Sequence, residues 1–345
     1  MATASTLTLL VVLAACSSSS SKAAVTSPTT TTPRTAARAV AAAANPSAGC
    51  SKPAPAPGQR TVHITSSGVD RWYLRNVPSS YRASVPMPLV VDVHGYEEGA
   101  SIEAAMTRLG AYGNQNGFIT VTPNGLGPVP HWDTTLGSKD LKFIGDTLDD
   151  VERTVCVDTN RVYATGLSQG AFMTSSIACQ FADRFAAVAP VAGITAVIKG
   201  CKPVRPVPVI SFHGTADQFV AYNGGLGPAA LNLPTPDGKG KLGAVKGIKS
   251  ASKSPSVPQQ LAAWAKRNGC TLTLREHKVT SDVTLLSYPC PKGSEVELYR
   301  VTGGGHSWPG SAFSALPVMQ KVVGKTTLTI NADALIWHFF RQHSL

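Results

Sequence analysis

Arg161-Val162-Tyr163-Ala164-Thr165, then Gly166-Leu167-Ser168-Gln169-Gly170, then the run from Ala171 to Phe181: the reading of this stretch decides the fold. The first five residues are rich in β-branched and aromatic side chains and read as a strand. The last run can form a helix. Strand, Gly-x-Ser-x-Gly and helix in succession is the setting of a nucleophile elbow. The turn is so tight that a side chain on either flanking residue would clash, which explains the glycines at 166 and 170. Strain in that turn lifts the Ser168 hydroxyl clear of the sheet and makes it the candidate nucleophile. The pentapeptide alone is weak: Gly and Ser are each roughly a tenth of the chain, so a chance match has odds of about one in a thousand per window. The residues around it have to decide.

Working outward, Thr61 to Thr65 and Asp70 to Arg75 alternate apolar and polar around Ser66-Ser67-Gly68, a hairpin signal. Pro88 to Val93 is a nearly continuous apolar run, as in a strand buried on both faces. Ile102 to Tyr112 reads as helix, Phe118 to Val121 as strand, and Phe143 to Val155 as helix. After the elbow come short strands at Ala186 to Pro190 and Val207 to Phe212, a helix at Val257 to Asn268 ended by Gly269, and a late strand at Glu297 to Val301. Asn331 caps a closing helix that reaches His343. This alternation predicts an α/β fold with a mostly parallel central sheet and helices on both faces. A Gly/Lys-rich insert, Gly224 to Ser256, stands out as a surface excursion expected over the active site.

A serine hydroxyl needs a histidine to take its proton and a carboxylate to orient that histidine. After an elbow serine the chain order is Ser, then Asp or Glu, then His. Phe212-His213-Gly214-Thr215-Ala216-Asp217 places Asp217 just past a buried strand. Gly303-Gly304-Gly305-His306-Ser307-Trp308-Pro309-Gly310 places His306 on a glycine loop past another. Both therefore sit at the carboxyl ends of strands, where open α/β sheets bind ligands. Asp217 as a plain turn-former and His306 as a surface histidine are the bland alternatives. His213 lies inside the Asp217 loop and reads as structural; Asp92 and Asp133 are rival acids, but precede Ser168. For the oxyanion, two N–H donors are needed. One is the backbone of Gln169; the other comes from the loop after His94-Gly95, where Tyr96 is preferred over Gly95.

Val93-His94-Gly95, Arg161 to Ala171, His213 to Asp217 and Gly304 to Gly310 resemble the polyhydroxybutyrate depolymerase and feruloyl esterase family, secreted or lipid-anchored α/β-hydrolases related to the acetylxylan esterases. The resemblance covers roughly residues 50 to 340, and its His-Ser-Trp-Pro-Gly block is the most specific part. It implies an α/β-hydrolase fold, with Ser168 as nucleophile, His306 as base, Asp217 as orienting acid, and neither metal nor organic cofactor. It also places Trp308 and Trp132 near the site, to hold an acyl or aromatic group; packing is the alternative for Trp132. The sequence departs from the family at Tyr96-Glu97-Glu98, where many relatives have small residues. The expected activity is that of an exported serine carboxylesterase acting on hydroxyalkanoate, feruloyl or acetyl esters, whether small, oligomeric or carried on a polysaccharide. An acyltransferase to a cell-wall sugar and a non-catalytic surface binding protein are the rivals.

The amino terminus suits an exported chain. Residues 7 to 15 are an apolar run too short to span a bilayer, ending in Leu13-Ala14-Ala15-Cys16, which resembles a bacterial lipobox. Residues 1 to 15 are read as a signal peptide, Cys16 as the lipidation site and membrane anchor, residues 16 to 49 as a flexible Ser/Thr/Ala/Pro tether, and residues 50 to 345 as the catalytic domain. Residues 1 to 6 lack the Lys or Arg usual there; a plain signal peptide is the alternative. Of seven cysteines, Cys16 aside, six remain, a number compatible with full pairing in an oxidising compartment. Cys50–Cys156, Cys179–Cys201 and Cys270–Cys290 are favoured among the possible pairings; the alternative leaves Cys50 and Cys156 free. The net charge of +11 suits an anionic surface. The scatter of Lys and Arg speaks against nucleic acid. A monomer is expected.

Overall fold

Ser67 and Gly68 both take positive φ, 50° and 76°, and close the hairpin of β1 (Gly58–Ser66) and β2 (Val69–Val77) in the register Ser66 to Val69. That conformation matches the right-handed strand twist and explains a tight Ser-Gly turn. The computed structural model describes residues 43–248 and 254–345; the expected signal peptide, Cys16 and tether residues 16 to 42 lie outside them. The hairpin leads into a ten-stranded sheet ordered β1-β2-β4-β3-β5-β6-β7-β10-β9-β8.

Six neighbouring strands run parallel: β4 (Ile119–Pro123), β3 (Met87–Val93), β5 (Val157–Leu167), β6 (Ala187–Val191), β7 (Val209–Gly214) and β10 (Val296–Val301). The antiparallel edges are β1–β2 on one side and β9 (Val283–Ser287) with β8 (Arg275–Lys278) on the other. On β3, Leu89, Val91 and Val93 face one core while Val90 faces the other. The first core is covered by α3 (Lys139–Thr154), α4 (Gln169–Gln180) and α5 (Val257–Arg267). The second is covered by α1 (Gly99–Thr107), α2 (Leu109–Asn116) and α7 (Ala332–Phe340), through Met106, Leu109, Ile336 and Phe340. The α/β architecture with helices on both faces is thus as expected.

Several boundaries need correction. The helix expected over Ile102 to Tyr112 is two helices, broken where Arg108 adopts φ 52°. β8, β9 and α6 (Pro317–Val323) were not expected; every residue of β8 is exposed, so it has no apolar alternation to read. The body also begins before residue 50. Ser47 N–H donates to Val157 O at 2.9 Å, the Ser47 hydroxyl to Val155 O at 2.9 Å, and Asn45 N–H to Asp158 Oδ1 at 2.9 Å, docking the segment from residue 43 on the start of β5. Polar side chains here satisfy strand-end backbone groups rather than solvate a tether. All three favoured cysteine pairs are bonded.

Candidate active site

Ser168 follows β5 directly and sits at φ 59°, ψ −118°, a strained conformation for a residue with a Cβ. Its N–H donates to Val191 O at 2.9 Å, and its carbonyl accepts from Ala171 and Phe172 at the start of α4. A Cβ on Gly166 or Gly170 would run into the Val93 carbonyl oxygen, and one on Gly170 would also press on His94 O. The flanking glycines therefore let the elbow lie against the end of β3. Ser168 itself is half-buried.

Because β5, β6, β7 and β10 are parallel neighbours, the segments after β5, β7 and β10 emerge at one sheet edge. The latter two are laced together: Ala216 N–H donates to Gly304 O at 2.9 Å, Thr215 N–H to Val301 O at 2.9 Å, and Gly303 N–H to the Thr215 hydroxyl at 2.8 Å. His306 Nδ1 lies 2.7 Å from Asp217 Oδ2, with both side chains buried. Asp217 Oδ1 accepts from the N–H groups of Phe219 and Val220 at 2.8 and 2.9 Å. Burial alone would raise the Asp217 carboxyl; the charge of His306, with hydrogen bonds from His213 and His306, outweighs it and holds the group well below the usual carboxylate range. Burial likewise works against the His306 imidazolium, yet the Asp217 charge and hydrogen bond hold its pKa above the ordinary value.

His213 is structural, as expected: Nε2 lies 2.9 Å from Val220 O and 3.3 Å from Asp217 Oδ2. Phe219, which no motif marks, stacks on the His306 ring at 4.9 Å. The His306 loop is also tied to the end of α6 through His306 N–H to Val323 O (2.6 Å) and Gly305 N–H to Lys325 O (2.8 Å).

The two expected oxyanion donors are open. Among the described residues, the N–H groups of Gln169 and Tyr96 have no partner, whereas Gly95 N–H donates to Glu98 Oε2 at 2.8 Å and Glu97 N–H to Pro130 O at 2.8 Å. Gly95 does not take positive φ; a Cβ there would lie 2.6 Å from that glutamate oxygen. His94 is fully buried between Gly95 O, 2.6 Å from Nδ1, and Gly125 N–H, which donates to Nε2 at 2.8 Å. Burial lowers its pKa to about 4, so it is the neutral tautomer with Nδ1 protonated.

The expectation that Trp132 and Trp308 hold substrate is corrected. Trp132 is 3% exposed; its indole N–H donates to His94 O at 2.8 Å and its backbone N–H to Gln169 Oε1 at 2.9 Å. Trp308 is 1% exposed and donates to Asp333 Oδ1 at 2.8 Å. Both are brackets inside the fold. Of the rival acids, Asp92 is buried on β3 and Asp133 lies exposed beside α3. A cavity of about 570 Å³ lies beside the start of α4, lined by Phe172, Ile194, Val197, Val220, Leu226 and Gln260 among others. These follow Ser168, β6 and Asp217 in the chain, and the Gly/Lys insert supplies Leu226. The insert also reaches the oxyanion loop, where the Tyr96 hydroxyl donates to Pro234 O at 2.8 Å. Among the described residues, no group of His, Cys, Asp and Glu is arranged to hold a metal ion, and no helix is long and apolar enough to cross a membrane.

Residues 131–203 match the prolyl oligopeptidase family. Feruloyl esterase B of Piromyces equi is 30% identical over 239 residues, 67% of this chain and 41% of that protein, so the chain spans less than half of this relative. Probable feruloyl esterase C of Aspergillus flavus is 30% identical over 212 residues, 56% of this chain and 75% of the relative. Among solved structures, the acetyl xylan esterase from Aspergillus awamori aligns with a TM-score of 0.50 at 16% identity, over 72% of this chain and 94% of that one. At that identity the likeness speaks for the fold alone.

Proposed function

The chain belongs to the feruloyl esterase-related family of α/β-hydrolases, and on that premise we propose that it is an exported serine carboxylesterase that cleaves feruloyl or acetyl groups from a polysaccharide. The observation that carries this reading is the Ser168 elbow at φ 59° and the buried Asp217–His306 pair, which the parallel strands bring to the same sheet edge. Ser168 Oγ attacks the ester carbonyl while His306 Nε2 takes its proton. Negative charge on the carbonyl oxygen is received by the N–H groups of Gln169 and Tyr96. His306 returns the proton to the departing alcohol oxygen. Water, deprotonated by the same imidazole, then attacks the acyl-Ser168 ester and releases the acid. Asp217 stabilises the imidazolium and holds the ring with Nδ1 protonated. The names of the feruloyl esterase relatives support the feruloyl part of this substrate class.

Three disulfides support an oxidising, extracellular setting. Anchoring through Cys16 rests on Leu13 to Cys16 alone, and Cys16→Ala tests it by releasing the protein from the membrane fraction. For the chemistry, wild type should hydrolyse p-nitrophenyl acetate and be labelled by a fluorophosphonate, and Ser168→Ala should do neither. An unlabelled, folded wild type would overturn the esterase reading. A panel of feruloyl, acetyl and 3-hydroxybutyryl esters then ranks the acyl groups.

A further inference from the structure

Glu103, on α1, is fully buried, and neither of its carboxyl oxygens meets an N–H or O–H donor. An ionised carboxylate so placed costs several kcal/mol, on the order of what makes such groups keep a proton instead. Its neighbours are two further carboxyls, Asp92 on β3 and Glu98 at the start of α1, both within hydrogen-bond reach. Asp92 Oδ2 accepts from the Thr107 hydroxyl at 2.7 Å, but its buried Oδ1 has no donor. Three adjacent anions cannot share this space, so a proton resides among them. Burial, then the charges of Asp92 and Glu98, raise the Glu103 carboxyl well above the usual range, and burial raises Asp92 as well. Of the three carboxyls, Glu103 alone accepts from no N–H or O–H donor, so the proton is assigned to it and its neighbours are the acceptors. The other groups facing the cluster are His306, beyond Glu98; Asp333 on α7, pushed up to about 7 by burial; and Arg108, near Asp333.

Glu98 does not cap α1 with its side chain. It turns back, and its Oε2 accepts from Gly95 N–H at 2.8 Å. The next peptide is held by its carbonyl: Gly95 O accepts from His94 Nδ1 at 2.6 Å and from Glu98 N–H at 3.4 Å. In a planar trans peptide, C=O and N–H point in opposite directions. Pinning Gly95 O inward therefore turns the Tyr96 N–H the other way, and among the described residues it has no partner, unlike the N–H groups of Gly95, Glu97 and Glu98.

We propose that Glu98 is a positioning residue for the oxyanion hole: its carboxylate engages Gly95 N–H and fixes the peptide that presents Tyr96 N–H, while the Glu103 carboxylic acid braces it from behind. This rests on the esterase reading above. The experiment measures kcat and KM for p-nitrophenyl acetate, inhibition by a trifluoromethyl ketone that forms a tetrahedral adduct, and thermal melting. Glu98→Leu should lower kcat by about 10²-fold, the effect of losing one oxyanion donor. KM should stay within about twofold, because the donor acts in the transition state. Inhibitor affinity should fall by the same factor as kcat. Glu98→Asp, which keeps the charge but withdraws the acceptor from Gly95, should lose activity in the same way and covers the case of a Leu variant that does not fold. Glu103→Leu should repeat the loss, and Glu103→Gln, uncharged and still a donor, should recover most of it. Folded Glu98 variants with unchanged kcat, or with kcat and inhibitor affinity moving independently, would overturn the proposal. A wild type that neither turns over nor takes a fluorophosphonate would sink the esterase reading instead, so the two failures are distinct.

Discussion

Replacing Asp217 by Asn should disable the site by turning one imidazole's proton around. Oδ1 of Asp217 accepts from two backbone N–H groups, of Phe219 and Val220, while Oδ2 faces His306 Nδ1 at 2.7 Å. An asparagine must keep its oxygen toward the backbone donors, since an amide NH₂ there would meet two N–H groups head on. Its nitrogen then takes the place of Oδ2. His306 Nδ1 now meets a donor and must accept, so the ring proton moves to Nε2. That is the nitrogen required to take the Ser168 proton. The same tautomer error in the serine-protease triad lowers kcat by about 10⁴, about 5.5 kcal/mol at 1.36 kcal/mol per decade. The measurement is kcat for p-nitrophenyl acetate together with the fluorophosphonate labelling rate, beside a thermal melt. Both rates should collapse in parallel while the protein stays folded. A folded Asp217→Asn enzyme retaining more than about a tenth of wild-type kcat would refute both the tautomer argument and the role given to Asp217.

Since the base must be neutral, kcat/KM should fall as pH drops through the His306 pKa, with a midpoint above the ordinary value of 6.5; a midpoint below it would mean that burial outweighs Asp217. Gly170→Ala drives a methyl into the Val93 carbonyl and should cost about 3 kcal/mol or more, read as a Tm drop of roughly 5 to 10 °C. Replacing Cys50 and Cys156 together by Ala opens a bridge spanning 106 residues and should destabilise the fold by about 4 to 5 kcal/mol in a denaturant titration. A change below about 1 kcal/mol would show that the docked segment around Ser47 holds the ends together without it.

The parallel strands, the Ser168 elbow and the loops that pair Asp217 with His306 were legible because each depends on a local pattern: an apolar run, then Gly and a reactive side chain at its carboxyl end. What escaped notice has no local signature. β8 is exposed throughout, so period-two alternation is absent. Arg108 breaks a helix through its left-handed backbone, not through Gly or Pro. Residues 43 to 49 look like tether by composition, yet the Asn45 N–H and the Ser47 N–H and hydroxyl bond to groups at the start of β5. In the sequence Glu98 is only part of a departure from the family pattern, and the fold shows its carboxylate closed over Gly95.

The two tryptophans show what such motifs report. Trp132 joins the elbow, through Gln169 Oε1, to the end of β3, through His94 O, and Gly170 packs on the same His94 carbonyl. The elbow and the loop after β3 are therefore braced against each other, as the proposed oxyanion donors would require. Trp308 does the same for the base, tying the His306 loop to α7 through Asp333. The residues that make the sequence recognisable are those that keep the bond-breaking geometry stiff, and that stiffness serves any ester. On the esterase reading, choice among esters is expected to lie with Phe172, Val220 and Leu226 along the cavity, and with the insert that Tyr96 grips at Pro234. That division explains how the motifs mark the chemistry strongly while leaving the acyl group open. It also places the substitutions that would change specificity without lowering kcat on the insert and the cavity wall, away from either tryptophan.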